Sequence, residues 1–129
     1  TPAYEPATGA FTSITHDNQT AEYVKIGKLV YVTGRVRTDA ITVGTASGTV
    51  RVGGLPFTTD GSSFRGVTTV YGNSWGTDNP TFVLTLASAT QFSLYRHNEP
   101  SNAETIKVTD MATGANSNNI YFNLVYQTD

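Results

Sequence analysis

In the stretch KLVYVTGRVRT, residues 28–38, apolar and polar positions alternate with a period of two. Successive side chains of an extended chain point to opposite sides. Val30, Val32, Gly34 and Val36 therefore share one face, and Leu29, Tyr31, Thr33, Arg35 and Arg37 the other. The same rhythm between turn signals predicts strands at 11–16, 20–26, 28–38, 49–54, 63–72, 81–87, 90–97 and 119–127, with 105–109 as a candidate ninth. Phe82, Leu84 and Leu86 fall together, as do Phe92 and Leu94, and as do Ile120, Phe122, Leu124 and Tyr126. These sets predict one core. No segment carries a helical stripe of useful length.

Composition agrees with strands. Thr occurs 22 times and Val 12 times against six Leu, and β-branched residues suit a pleated, half-buried surface. Eight strands without a helix to cover a parallel sheet predict an all-β fold, an antiparallel β-sandwich of jelly-roll type, with residues 1–129 as a single domain.

Antiparallel succession alternates the connections between two ends of such a sandwich. The segments 16–19, 38–48, 72–80 and 98–118 then share one end, with Gly27, 55–62 and 88–90 at the other. Eight of the nine Asn residues fall at the first end, and so does Trp75, the only tryptophan, within YGNSWGTDNP. An even number of strands returns Thr1 and Asp129 together to the end away from Trp75. Long polar loops on a rigid scaffold are where binding surfaces are built. A large apolar ring in such a loop has two readings, an exposed platform for a ligand or a lid folded over the core. The platform reading assembles Trp75, Asn73 and Asp78 on one loop, Tyr71 at the strand end, and His97 and Glu99 from the neighbouring loop. That set suits a pyranose, which offers a flat C–H face and a rim of hydroxyls.

Charge and motifs narrow the chemistry. Charged residues are 14% of the chain and the net charge is −2, which gives no footprint for nucleic acid. No apolar run is long enough to cross a membrane as a helix, so membrane insertion is not expected. The absence of cysteine removes disulfides, thiolate catalysis and Cys-ligated zinc. His16 and His97 lack a third ligand at recognisable spacing, so no metal is expected. The ten carboxylates are scattered, with no recognisable catalytic pair, nucleophile motif or phosphate-cradling loop, so neither catalytic residues nor a cofactor are expected.

Two stretches are more specific. In YVKIGKLVYVTGRV, 23–36, the residues that stand out are Tyr23, Lys25, Ile26, Gly27, Leu29, Val30, Val32 and Gly34. In SGTVRVGGLPF, 47–57, they are Ser47, Gly48, Val50, Val52, Gly54, Leu55, Pro56 and Phe57. Together they resemble the C-terminal head domains of bacteriophage tail fibres and related tail proteins, over about a quarter of the chain. The resemblance implies a homotrimeric jelly-roll tip, broadly like the tumour-necrosis-factor and C1q heads. It also implies a place in the virion downstream of other tail proteins, and recognition of host cell-surface glycan without catalysis. The motif residues themselves read as structural, so no family binding residue transfers. Two alternatives stand beside this reading: a structural decoration domain of a capsid or tail, and a cellular carbohydrate-binding module or small glycoside hydrolase. The face bearing Leu29, Tyr31, Thr33, Arg35 and Arg37, apolar in one half and charged in the other, is the expected contact with a neighbouring subunit.

Overall fold

The computed structural model describes residues 1–61, 64–97 and 102–129. Among the described residues nine strands run in chain order: β1 (Ala3–Thr8), β2 (Ser13–Ile26), β3 (Leu29–Thr42), β4 (Ser47–Gly53), β5 (Val67–Asn73), β6 (Phe82–Thr85), β7 (Gln91–His97), β8 (Ala103–Thr105) and β9 (Ser117–Gln127). A 3-10 turn at Val108–Asp110 precedes β9, and the described residues contain no α-helix. All pairings are antiparallel, in the order β1-β4-β7-β6-β5-β9-β3-β2, with β8 beside β7.

The two halves expected as separate sheets are continuous through β5. Its first residues, Val67–Thr69, pair with β6, and Val70–Asn73 pair with β9. The sheet is nearly closed into a barrel. The gap lies between the edge strands β1 and β2 and is crossed by side chains. The Tyr4 main-chain N–H donates to His16 Nε2 at 3.3 Å, and Gln19 Nε2 donates to the Pro2 carbonyl at 2.9 Å. The Tyr4 and His16 rings stack at 5.9 Å.

Several elements differ from the sequence expectation, each for a physical reason. The polar HDNQ stretch at 16–19 is not a loop: β2 passes through it, with register shifts on either side of His16. Such bulges let an irregular polar segment remain in a sheet. β3 continues to Thr42, so its connection to β4 shrinks to residues 43–46. β1 carries Pro6 inside a weakly alternating pattern, and proline is tolerated because β1 is an edge strand. In β6 the buried residues are Val83 and Thr85, whereas Phe82 and Leu84 face outward. Cross-strand partners share a face: Val83 opposes the core residue Leu94, and Phe82 opposes Tyr95. The candidate ninth strand divides into β8, the buried Ile106 and the 3-10 turn.

The core gathers Val30, Val32, Val36, Val50, Val52, Val83, Phe92, Leu94, Ile106, Ile120, Phe122 and Leu124. Gly34 is required by this packing. A Cβ there would stand 2.7 Å from Phe122 Cζ and 2.8 Å from the Thr20 carbonyl oxygen. At the end away from Trp75, Leu55 bonds Thr90, Thr59 bonds Ala89 and pairs with Thr128, and Thr128 bonds Lys28. Thr1 lies against Gly54 in the same group. Both termini therefore lie on that side, as expected, although the strands number nine rather than the eight from which the expectation was drawn.

Candidate functional site

The loop after β5 is fixed at both of its sides. Ser74 adopts a positive φ of 59°, and its carbonyl accepts the Asn118 N–H at 2.9 Å. The N–H groups of Gly76 and Thr77 both donate to the Asp110 carbonyl, at 2.8 and 3.1 Å. Gly76 is needed there, because a Cβ would meet the Met111 carbonyl at 2.9 Å. Between these ties Trp75 is half-buried and packs against the core cluster. Its ring stands edge-on to Tyr4 and its indole N–H donates to the Asn119 carbonyl at 3.4 Å. Of the two roles read from the sequence, these contacts describe a lid.

Four of the other five expected site residues divide between two surfaces. Tyr71 and Asn73 belong to the outer face of the half-barrel formed by β2, β3, β9 and β5. There the Arg35 Nε–H donates to Asn119 Oδ1 at 2.9 Å, Asn119 Nδ2 to Asn73 Oδ1 at 3.0 Å, and Asn73 Nδ2 to the Tyr71 hydroxyl at 3.3 Å. The Arg35 guanidinium lies over the Tyr121 ring at 4.8 Å, and Tyr121 meets Tyr71 at 6.2 Å. Asp78 and His97 lie on the opposite half. Asp78 pairs with Arg96 at 3.2 Å, and His97 stacks on Phe82 at 4.5 Å, with Tyr95 on Phe82 at 5.2 Å. Glu99 lies outside the described residues.

Strand register makes the first surface continuous. Its rows are Ile26–Leu29, then Val24–Tyr31–Val125, then Glu22–Thr33–Asn123, then Thr20–Arg35–Tyr121–Tyr71. Its large apolar members, Val24, Ile26, Leu29, Tyr31, Tyr71, Tyr121 and Val125, are 41% to 73% exposed. Val67 follows on β5, equally open. Thr33 and Tyr31 both donate to Asn123 Oδ1, at 2.6 and 3.3 Å, which links two neighbouring rows. A shallow depression of about 570 Å³ crosses this face beside Tyr71, Tyr121 and Asn123.

The second surface is a cleft of about 510 Å³ at the edge of β8, lined by Arg96, Glu104, Thr105, Lys107, Thr109 and Asp110. Arg96 spans two carboxylates, Asp78 on one side and Glu104 at 2.7 Å on the other. The Asp110 carboxylate accepts the Lys107 main-chain N–H at 2.8 Å, which caps the 3-10 turn.

Sequence reasoning missed Tyr121, although it occupies an outward position of β9 opposite the inward Ile120, Phe122 and Leu124. It also missed Arg96 and Asp110, whose meeting depends on pairings that periodicity does not reveal. Near the seam, the Arg37 side chain hydrogen-bonds Asp17 and holds its carboxyl below the usual range, while burial pushes the His16 imidazole down. Among the described residues no group of three His, Asp or Glu side chains is placed to hold a metal ion. No family model, curated protein or solved structure matches the chain.

Proposed function

We propose that the chain is the non-enzymatic head domain of a bacteriophage tail fibre, trimeric through its aromatic sheet face and recognising host cell-surface glycan. The observation that carries the assembly is the continuous outer face running from Ile26 to Tyr71. An exposed apolar surface of this extent on a small domain marks a protein–protein contact. Of the residues expected to meet a neighbouring subunit, Leu29, Tyr31, Thr33 and Arg35 lie in its successive rows, whereas Arg37 lies beyond them, bonded to Asp17. A jelly-roll reading of the near-closed barrel, and three as the number of copies, rest on the resemblance to tail-fibre heads.

The motif residues support that resemblance by having structural work here. Gly27 takes a positive φ of 59° at the β2–β3 turn, Gly54 one of 92° beside Thr1, and Leu55 is buried. Packing one sheet face against copies leaves the polar Asp78–Arg96–Glu104 side free for a receptor. Weak single-site sugar binding would be raised by having three copies on one fibre.

Sedimentation of the purified chain, joined to a glycan-array screen with a product assay, tests the proposal. A trimer that retains glycans without cleaving them is the expected result. A monomer that binds no glycan would overturn the proposal. A chain that assembles only with another virion protein would favour the decoration-domain reading, for which the same apolar face is suited.

A further inference from the structure

The free half of the barrel carries a second observation, and the inference drawn from it rests on the glycan-binding reading above. We infer that the cleft between β8 and the 3-10 turn is the saccharide site, and that it takes a neutral rather than an acidic sugar.

The cleft is built before any ligand arrives. Its two walls, β8 and the 3-10 turn, are tied to one loop. Gly76 and Thr77 hold the Asp110 carbonyl, and Asp78, next in the same loop, holds Arg96. Trp75 fixes that loop to Tyr4 and Asn119. A tryptophan sits in a polar loop because it anchors the clamp that shapes the cleft. Sites whose polar groups are locked in advance lose less entropy on binding.

Its charges leave it net negative. Two cations, Arg96 and Lys107, stand with three carboxylates, Asp78, Glu104 and Asp110. Arg96 is neutralised by two of them. Among the described residues no cluster of unpaired cations is left to attract a phosphate, sulfate or uronate, and a third carboxylate repels one. A neutral sugar fits better, since vicinal hydroxyls both donate and accept. The exposed Lys107 ammonium and the Thr105 and Thr109 hydroxyls supply donors, and the Asp110 and Glu104 oxygens supply acceptors. Ala103 gives a small apolar patch opposite His97, whose ring rests on Phe82. The volume falls in the range of small-ligand sites, roughly 300–1,000 Å³.

The test uses the full chain on an array carrying neutral and uronic-acid oligosaccharides, followed by titration of the retained glycan. Lys107→Ala and Thr109→Ala are the variants, both at exposed positions, with Lys28→Ala at the opposite end as control. Neutral glycans are expected to bind, and each cleft variant to weaken binding about three- to tenfold, the equivalent of one solvent-compensated hydrogen bond. Melting curves should stay unchanged. Glycan binding that both cleft variants leave intact would overturn the cleft while leaving the receptor reading in place. Retention of acidic glycans alone would overturn the ligand class. Failure of the wild-type chain to bind any glycan would overturn the receptor reading itself.

Discussion

The ring of Trp75 stands edge-on to that of Tyr4, with centroids 5.6 Å apart and planes at 84°. Tyr4 is itself buried, and its hydroxyl donates to the Asn118 carbonyl. Edge-to-face aromatic pairs of this kind contribute beyond the area they bury. The pair ties β1, the Trp75 loop and the start of β9 together at a single point.

Replacing Trp75 by Ala should therefore cost stability. Full truncation of a core Trp or Phe costs 3–5 kcal/mol, and a half-buried ring should lose about 2–3 kcal/mol. Trp75→Phe keeps the edge contact with Tyr4 but loses the bond to Asn119, so it should recover most of that loss. Urea unfolding of the two variants measures both quantities. A Trp75→Ala midpoint equal to that of the parent would show that the ring anchors nothing.

Stability should fall in acid in two steps. Burial lowers the His16 pKa below 6.5, and its Nε2 accepts the Tyr4 N–H, which a protonated ring cannot do. The unfolded chain then binds the proton first, so this contribution is complete above about pH 6.5 and declines as the pH falls below it. The hydrogen bond from Arg37 lowers the Asp17 pKa below 3.8, so its contribution persists to more acid conditions and is lost below that value. His16→Gln should remove the first step and keep the second. Melting temperatures across pH 3–8 would show it, and a first step that persists in His16→Gln would refute the assignment.

Much of the fold is legible in the sequence, because alternation reports burial directly. Val30, Val32 and Val36, Phe92 and Leu94, and Ile120, Phe122, Leu124 and Tyr126 all lie inside as their spacing indicates. Alternation fails where a face is chosen by partners rather than by composition. In FVLT of β6 both parities are partly apolar, and only the pairing of Val83 with Leu94 selects the inward one. It also fails at the polar HDNQ bulge, where strand pairing overrides turn-like composition. The site was less legible still. Tyr71 and Asn73 lie within four residues of Trp75, yet they face another surface, because β5 crosses from one half of the barrel to the other.

Gly34 offers a check on the core. Ala at this position must displace the Phe122 ring or part β2 from β3, since the Thr20 carbonyl oxygen and the Ala21 Cβ stand at 2.8 and 2.9 Å. Overpacking of this kind costs about 1–3 kcal/mol. Combining Gly34→Ala with Phe122→Leu should restore part of the loss if the ring is the obstacle. Strictly additive effects in that double mutant would place the clash on the backbone instead.

The last prediction concerns the centre of the sheet face, where Val125 opposes Tyr31 and Tyr31 opposes Val24. In the isolated subunit Val125 is open to solvent, so Val125→Glu should leave subunit folding within about 0.5 kcal/mol of the parent, as surface changes usually do. In an assembly the same carboxylate would be buried among apolar side chains of the next copy without a partner. An unpaired buried charge costs about 3–5 kcal/mol, or a hundredfold or more in association. Sedimentation should therefore show the parent as a trimer and Val125→Glu as a monomer with an unchanged far-ultraviolet spectrum. Gln127→Glu on the same strand should sediment like the parent, because Gln127 lies at the margin of the face beside Leu29. If Val125→Glu assembles as well as the parent does, copies of the chain meet through some other surface, and the aromatic face must be assigned to a different partner.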